Sequence, residues 1–378
     1  MNGWRKSMED AHLVHMQDDS AFFGVFDGHG GHACSEFVAR SLEKHLEEHG
    51  LPANDAAVEA LMLRVDQDFL ETSSSKSGST GTFVIIEPMR NASKRCLRVG
   101  NIGDSRVLLG RSDGSMVRGT GTDFGLTVDH KPDSPSELER IVATGNNVIC
   151  KKGLPRINGS LAVSRAFGDV KYKLPRDSPP GEQCVCAKPD LYRMECDQSD
   201  FVMLVCDGIS EGTFPNADVV SFAAEELRYH GDPGRAATAV CRKALMERST
   251  DNLTCMIVLL SGSPDFQPRD EFLRGPVSSF HDMDFMNAYM NHYFAAKVVC
   301  PFMELLRYKY ICFCLQQTRM TPNSEQQERI LCLSQSLDNH VPSQIVPHRL
   351  QASPIAYDQF AKASLEKTLG NSMLGITV

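Results

Sequence analysis

The chain has 378 residues, of which 42% are hydrophobic and 23% are charged, as in ordinary globular proteins. Its formal net charge of −9 argues against general nucleic-acid binding, because such binding normally needs a basic surface. No run of about 18 uncharged apolar residues occurs, so we expect no membrane insertion. The 13 cysteines lack C-x-x-C spacing and no signal peptide stands at the start, which predicts reduced thiols and a cytoplasmic or nuclear location.

Strand-like and helix-like segments alternate through the first 262 residues. Strands are predicted where Val, Ile, Leu and Phe cluster between Gly, Asp or Asn, and helices where apolar residues recur on one face. In chain order we predict helices over 32–49 and 56–70, strands over 82–87, 97–102 and 106–111, a helix over 135–144, a strand over 201–206, helices over 216–229 and 233–247, and a strand over 252–260.

The short link Gly103-Asp104-Ser105 predicts a hairpin between the strands 97–102 and 106–111. Hairpins combined with few strand–helix–strand units favour antiparallel sheets covered by helices over a doubly wound parallel sheet. The predicted class is therefore α+β.

The character of the chain changes after Leu260. Ser261-Gly262-Ser263-Pro264 is typical of the end of a strand, and polar, proline-containing segments follow an aromatic and Met-rich stretch over 280–315. We therefore predict one domain over 1–262 and a C-terminal extension over 263–378. We expect the extension to be partly helical or disordered, and it is a candidate for binding a protein partner.

Two apolar strands each end in an aspartate followed by glycine, in Phe26-Asp27-Gly28 and Cys206-Asp207-Gly208. A strand carries such a side chain out of the core, and the glycine lets the backbone turn close to a bound ion. Carboxylate oxygens are the ligands that hard divalent cations prefer. The pattern indicates a two-metal hydrolase.

Further motifs follow in a fixed order along the chain. As a set, they resemble the metal-dependent protein serine/threonine phosphatases of type 2C, and the resemblance covers about residues 3–260. It implies a β-sandwich of two antiparallel sheets flanked by α-helices, in four layers α/β/β/α. The motifs are Trp4-Arg5, Glu9-Asp10-Ala11-His12, Asp27-Gly28-His29-Gly30-Gly31, Gly103-Asp104-Ser105-Arg106, Asp129-His130-Lys131-Pro132, Ser164-Arg165-Ala166-Phe167-Gly168-Asp169 and Asp251-Asn252.

The resemblance implies a centre of two Mg²⁺ or Mn²⁺ ions. Asp27 would bridge both ions, Glu9 and the carbonyl of Gly28 would bind one, and Asp207 and Asp251 would bind the other. Two adjacent cations lower the pKa of a bridging water, which would attack a phosphoserine or phosphothreonine monoester without forming a phospho-enzyme.

Three further residues receive roles from the same resemblance. Arg5 would bind the substrate phosphate, because its planar guanidinium can hold two oxygens at once. His29 would protonate the leaving serine or threonine oxygen. Asp10 would orient metal-bound water.

A possible third metal would involve Asp104. Its usual partner in the family is an aspartate, and here Glu211 stands in that position, with a carboxylate one methylene further from the backbone. His130 and Lys131 resemble a structural turn of the family.

Two other interpretations stay open at this stage. One is a regulatory module of the same fold without activity, against which the four acidic ligands count. The other is a two-metal nuclease or small-molecule phosphatase of another fold, which would not explain the ordered motifs. The leading interpretation remains a phosphatase that acts on phosphoprotein substrates.

Overall fold

A computed structural model describes residues 1–17, 19–175 and 178–261 of the chain. All of these residues belong to the compact unit Met1–Met290. The predicted extension over 263–378 lies outside the described residues, so its partly helical or disordered character and its partner binding stay predictions.

The described residues form thirteen strands and six α-helices. The strands are β1 (Ala11–Gln17), β2 (Ser20–Phe26), β3 (Gly28–His29), β4 (Gly78–Ser79), β5 (Gly81–Pro88), β6 (Lys94–Ile102), β7 (Arg106–Gly110), β8 (Val148–Lys151), β9 (Leu154–Ile157), β10 (Phe167–Gly168), β11 (Asp190–Asp197), β12 (Phe201–Val205) and β13 (Cys255–Leu259). The helices are α1 (Ala33–His49), α2 (Asp55–Thr72), α3 (Pro135–Ala143), α4 (Asp207–Ser210), α5 (Asn216–His230) and α6 (Pro233–Met246).

Two antiparallel sheets form the centre of the domain. The larger sheet has the order β1-β2-β5-β6-β11, and the smaller has the order β13-β12-β7. The short strands β3, β4 and β10 form a separate three-stranded sheet, and β8 pairs with β9. The short sheet begins directly after β2, so it lies beside the acidic strand end.

Side chains of the central strands alternate between two cores, because successive residues of a strand point to opposite faces. In β2, Phe23 and Val25 belong to the core between the two sheets. Phe22 and Phe26 belong to the core beneath the helices. The strand is apolar throughout because both of its faces are buried.

Helices cover the outer face of each sheet. Leu42 of α1 and Val65 of α2 pack in the core of the five-stranded sheet. Val220 of α5 and Val240 of α6 pack with the three-stranded sheet. The four-layer α/β/β/α arrangement of the α+β prediction is confirmed.

The predicted hairpin over 97–111 was wrong. Strand β6 pairs with β5 and β11, whereas β7 pairs with β12 in the other sheet. The chain changes sheets at Gly103, whose φ of +111° favours glycine. A short glycine-containing link suits either a hairpin or a corner between packed sheets, and tertiary packing selects the corner.

The predicted helices and strands otherwise agree with the structure to within a few residues at their ends. The elements that were not predicted are β1, β11, the pair β8–β9, the two-residue strands β3, β4 and β10, and the short helix α4. In β11, Tyr192 and most of its neighbours are exposed or half-buried, so the strand lacks a strong apolar signal. No helix within 1–17, 19–175 and 178–261 is long and apolar enough to cross a membrane.

Candidate metal centre

The two strand-end aspartates lie side by side. Asp27 follows β2, and Asp207 is the first residue of α4, just beyond β12. One carboxylate oxygen from each and the sulfur of Cys206 all lie within 4.8 Å of one another. Thr80 fixes the backbone of Asp27, since its N–H donates to the Asp27 carbonyl at 2.8 Å. Residues 180 positions apart in sequence thus form one acidic site.

Glu9 and Gly28 approach each other through their backbones. A Cβ atom on Gly28 would lie 2.1 Å from the carbonyl oxygen of Glu9, so only glycine fits here. The Ser35 hydroxyl donates to that same carbonyl oxygen. The Glu9 N–H donates to Oδ1 of Asn252 at 2.9 Å. The segment that carries Glu9 is therefore held against the end of β2.

Arg5 contacts Asp251 directly. Its Nη2 donates to Oδ2 of Asp251 at 2.6 Å, and the arginine side chain stays 55% exposed. The side-chain amide of Asn252 donates to the carbonyls of Asn2 and Ser7 at 2.8 and 3.0 Å. These bonds fix the N-terminal segment that carries Arg5 against the residues next to Asp251. The predicted phosphate-binding arginine therefore stands at the rim of the acidic site, beside a predicted metal ligand.

Asp10 supplies a direct test of whether the site suits a cation. Its Oδ2 accepts a hydrogen bond from the hydroxyl of Thr254 at 2.5 Å. Its Oδ1 is buried and has no hydrogen-bond partner among the described residues. An unsatisfied buried carboxylate oxygen is costly, and a cation with its water shell would satisfy it. The donor set around it consists of oxygens, which suits Mg²⁺ or Mn²⁺.

The carboxylates destabilise one another's charged forms. Burial raises the pKa of Asp27 well above its ordinary value, and the nearby charges of Asp207, Asp10 and Asp104 add to this effect. Burial and the charges of Asp104, Asp251 and Glu211 raise the pKa of Asp207 to about 8, with Lys131 opposing them. Divalent cations would remove this repulsion, so the residues fit the two-metal prediction.

A second acidic group adjoins the first. Carboxylate oxygens of Asp104, Asp207 and Glu211 lie within 4.8 Å of one another. The Lys131 ammonium bridges two of them, donating to Asp104 at 2.7 Å and also to Glu211. Burial opposes the charge of Lys131, but the two carboxylates raise its pKa above the ordinary value. Lys131 thus has an electrostatic role here beyond the structural one predicted.

Cys206 is close to the metal centre but is poorly suited to bind the ions. Burial, together with the charges of Asp10, Asp27 and Asp207, raises the pKa of the Cys206 thiol well above its ordinary value. The neutral thiol donates to the carbonyl of Asn252 at 3.5 Å. Because a cysteine binds metals as the thiolate, the site keeps its preference for oxygen ligands.

His29 has an acidic partner that the sequence interpretation missed. Its Nε2 lies 2.6 Å from Oδ2 of Asp169, a buried carboxylate. Burial acts to lower the pKa of His29, but the charge and hydrogen bond of Asp169 outweigh it and raise that pKa. The residue predicted to donate a proton thus has a partner that favours its protonated form.

Four residues with direct contacts to the site were therefore not assigned to it from sequence. Each stands in or within two residues of a motif that was identified, but the side-chain partner comes from a distant part of the chain. They are Lys131, Asp169, Asn252 and Thr254.

Comparison with known proteins places the chain in a family. The family described as Protein phosphatase 2C matches residues 1–253. The chain is 34% identical over 295 residues to "Protein phosphatase ppm-1.A" of Caenorhabditis elegans, covering 70% of this chain and 59% of that protein. It is 31% identical over 290 residues to "Protein phosphatase 1A" of Homo sapiens, covering 71% of each. The chain belongs to the protein phosphatase 2C family.

A solved structure supports the same fold. The crystal structure of a phosphatase from Toxoplasma gondii matches with a TM-score of 0.61 and 30% identity, covering 68% of this chain and 90% of that one.

The chain also matches "Protein phosphatase 1B" of Bos taurus, at 32% identity and 72% coverage of this chain. It spans 58% of that relative and 59% of the nematode protein, so it covers less than two thirds of either.

Proposed function

We propose that this chain is a metal-dependent protein serine/threonine phosphatase that hydrolyses phosphoserine and phosphothreonine in proteins. The observation that carries the proposal is that Asp27 and Asp207, distant in sequence, lie together in a cluster of buried carboxylates. Burial and the charges of the neighbouring carboxylates raise the pKa of both residues. Membership in the protein phosphatase 2C family supports the same conclusion. Mutual repulsion among these carboxylates destabilises the fold, and a module without bound cations would gain nothing from it.

The centre would hold two Mg²⁺ or Mn²⁺ ions. Asp27 would bridge them, Glu9 and the Gly28 carbonyl would serve one, and Asp207 and Asp251 would serve the other. When bound, such ions polarise phosphate oxygens and lower the pKa of water for attack at phosphorus. A third ion would have to compete with Lys131 for Asp104 and Glu211.

Three residues of the chain would handle the substrate and its protons. Within the described part of the chain, the Arg5 guanidinium donates to Asp251 through Nη2, and its other donors can bind two phosphate oxygens. Oδ1 of Asp10 has no hydrogen-bond partner among the residues that the structure describes, and it can orient the attacking water. His29, held by Asp169, can give a proton to the departing serine or threonine oxygen.

We propose residues 1–262 as the catalytic domain. The family match to residues 1–253 and the final described strand β13 support this boundary. We also propose a cytoplasmic or nuclear location, which nine free cysteines among the described residues support. Subcellular fractionation of the tagged full chain tests the location, and recovery in a secreted fraction would contradict it.

The test of function is phosphate release from a phosphothreonine peptide by the purified full chain. We expect release with Mn²⁺ or Mg²⁺ and none with a chelator. Asp207→Asn should abolish release, whereas the matched substitution Asp218→Asn, at an exposed position on α5, should keep it. The pair separates loss of a ligand from loss of any negative charge.

Two results would contradict the proposal. Undiminished Mn²⁺-dependent release by the Asp207→Asn variant would remove Asp207 from the centre. A folded wild-type chain that neither releases phosphate nor binds Mn²⁺ in calorimetry would favour a regulatory module.

A further inference from the structure

His29 and Asp169 meet across a glycine in the small three-stranded sheet. In the pairing of β3, β4 and β10, His29 lies opposite Gly78, and Gly78 lies opposite Gly168. The next residue, Asp169, reaches back so that its Oδ2 lies 2.6 Å from Nε2 of His29. The register of this sheet therefore places the two side chains on either side of β4.

Gly78 leaves the space in which they meet. A Cβ atom at position 78 would lie 2.2 Å from Oδ2 of Asp169 and 2.4 Å from Nε2 of His29. Contacts under about 3 Å with a Cβ atom are not tolerated, so any other residue would force the pair apart. The glycine is required here by the side chains of its neighbours, since its own φ is not in the left-handed region.

Asp169 itself is held in an uncommon conformation. Its φ of 52° and ψ of 45° are left-handed, and the preceding Gly168 has a φ of 71°. Such backbone persists only where surrounding contacts enforce it. The Asp169 N–H donates to the carbonyl of Ser77 at 3.1 Å, and the Tyr172 N–H donates to the carbonyl of Asp169 at 2.8 Å.

A buried ion pair anchors the same turn to α2. The Lys173 ammonium is fully buried and lies 2.7 Å from both carboxylate oxygens of Asp66, and 2.8 Å from the Ala166 carbonyl. Asp66 also accepts the N–H of Gly168 at 2.7 Å. Burying two charges is costly unless they are fully bonded, as they are here. The turn that presents Asp169 is thus fixed on both sides.

We propose that Asp169 is a positioning residue for His29, held by Gly78 and the Asp66–Lys173 pair, and that it orients His29 for proton transfer to the leaving oxygen. The inference rests on the proposed phosphatase function. With Nε2 donating to Asp169, Nδ1 is the remaining ring atom that can donate. Anchoring one ring nitrogen on a carboxylate fixes the tautomer and orientation of a histidine.

The proton balance of the step is simple. The water oxygen bonds to phosphorus while the bond from phosphorus to the serine or threonine oxygen breaks. The electron pair of that bond stays on the leaving oxygen, which takes the proton from Nδ1 of His29. The attacking water releases its proton to solvent, and solvent returns a proton to His29.

The test uses two substrates that differ in their need for a proton donor. A threonine alkoxide is a poor leaving group, whereas p-nitrophenolate leaves without protonation. In the full-length Asp169→Asn variant, we expect kcat on a phosphothreonine peptide to fall by at least about tenfold, because a misoriented general acid loses part of a contribution of roughly 10²- to 10⁴-fold. We expect kcat on p-nitrophenyl phosphate to fall far less, so the ratio of the two rates changes.

A double-mutant cycle tests whether Asp169 acts through His29. In a His29→Ala background, the Asp169→Asn substitution should cause no further fall in the peptide rate. Gly78→Ala should reproduce the selective loss. Its matched control, Gly181→Ala, should not, because the nearest atom to a Cβ there is 3.8 Å away.

Equal losses on both substrates would overturn the inference and leave Asp169 with a merely structural role. Additive losses in the cycle would do the same. Should the variants fail to fold, ¹⁵N spectra of the histidine rings in the wild-type chain still decide. We expect the charged His29 ring to carry protons on both nitrogens and the neutral ring to keep its proton at Nε2, bonded to Asp169; a neutral ring protonated at Nδ1 would overturn the inference. A wild-type chain inactive on both substrates would instead refute the phosphatase proposal itself.

Discussion

The buried ion cluster around Glu137 offers a quantitative test of the domain's electrostatics. Glu137 lies on α3 with its side chain only 3% exposed, and Arg140 and Arg165 contact it at 2.7 and 2.8 Å. The Ser164 hydroxyl also donates to it at 2.7 Å. Arg165 continues to Asp190, so the cluster ties α3 to the start of β11. We predict that Glu137→Gln destabilises the domain in a pH-dependent way.

The magnitude follows from the pKa of Glu137. Burial acts to raise this pKa, but the hydrogen bonds and charges of Arg140 and Arg165 lower it from 4.5 to about 2. A difference of one unit between the pKa values of the folded and unfolded states corresponds to about 1.4 kcal/mol. The ionised carboxylate therefore contributes about 3 kcal/mol to the free energy of unfolding at pH 7. A loss of this size matches the removal of one partner from a buried ion pair.

The sign of the pH dependence is set by the lowered pKa. The contribution is complete above pH 4.5, where Glu137 is ionised in the unfolded chain too, and it is lost as the pH falls towards 2. The difference between wild type and Glu137→Gln should shrink from about 3 kcal/mol at pH 7 to about 2 kcal/mol at pH 3.5.

Urea denaturation followed by far-ultraviolet circular dichroism measures both values. The matched control is Glu36→Gln on α1, where the exposed pair with Arg40 has its atoms 3.4 Å apart and should be worth about 0.5 kcal/mol or less. A loss for Glu137→Gln that is no larger than the control, or that is the same at both pH values, would refute the reasoning.

Three further predictions concern the metal centre. Asp207→Asn should lower Mn²⁺ affinity in calorimetry along with turnover, and unchanged affinity would contradict its assignment as a ligand. Arg5→Ala should raise the KM for a phosphopeptide by about tenfold through lost charged hydrogen bonds, and a change confined to Mn²⁺ affinity would mean that Arg5 acts only through Asp251. Glu211→Asp should alter the dependence of the rate on metal concentration, because the shorter carboxylate changes the competition with Lys131; an identical titration would make a third ion irrelevant.

Much of the centre could be predicted because its residues carry local signals. Asp27 and Asp207 each follow an apolar strand and precede a glycine, and this pattern depends only on neighbouring residues. The five longer helices were predicted equally well, since an amphipathic repeat such as that of α1 is also local. The order of the motifs along the chain was sufficient to indicate the family.

The contacts between distant residues could not be predicted in this way. Ile102 ends a strand after which the chain enters the other sheet, and the glycine-containing link that follows is compatible with either outcome. Asp169 is 140 positions from His29, and their contact depends on the register of three two-residue strands. Such short strands have no periodicity to detect.

The sequence by itself predicted the chemistry that we propose for this protein: oxygen ligands for divalent cations and an arginine for the substrate phosphate, in a four-layer fold. Those properties reside in residue types and in the apolar pattern of each segment. The tertiary structure alone decided which charges face each other. It joined Lys131 to Asp104, Asn252 to Glu9 and Asp169 to His29, because these pairings arise from the packing of separate elements and leave no mark on the local sequence.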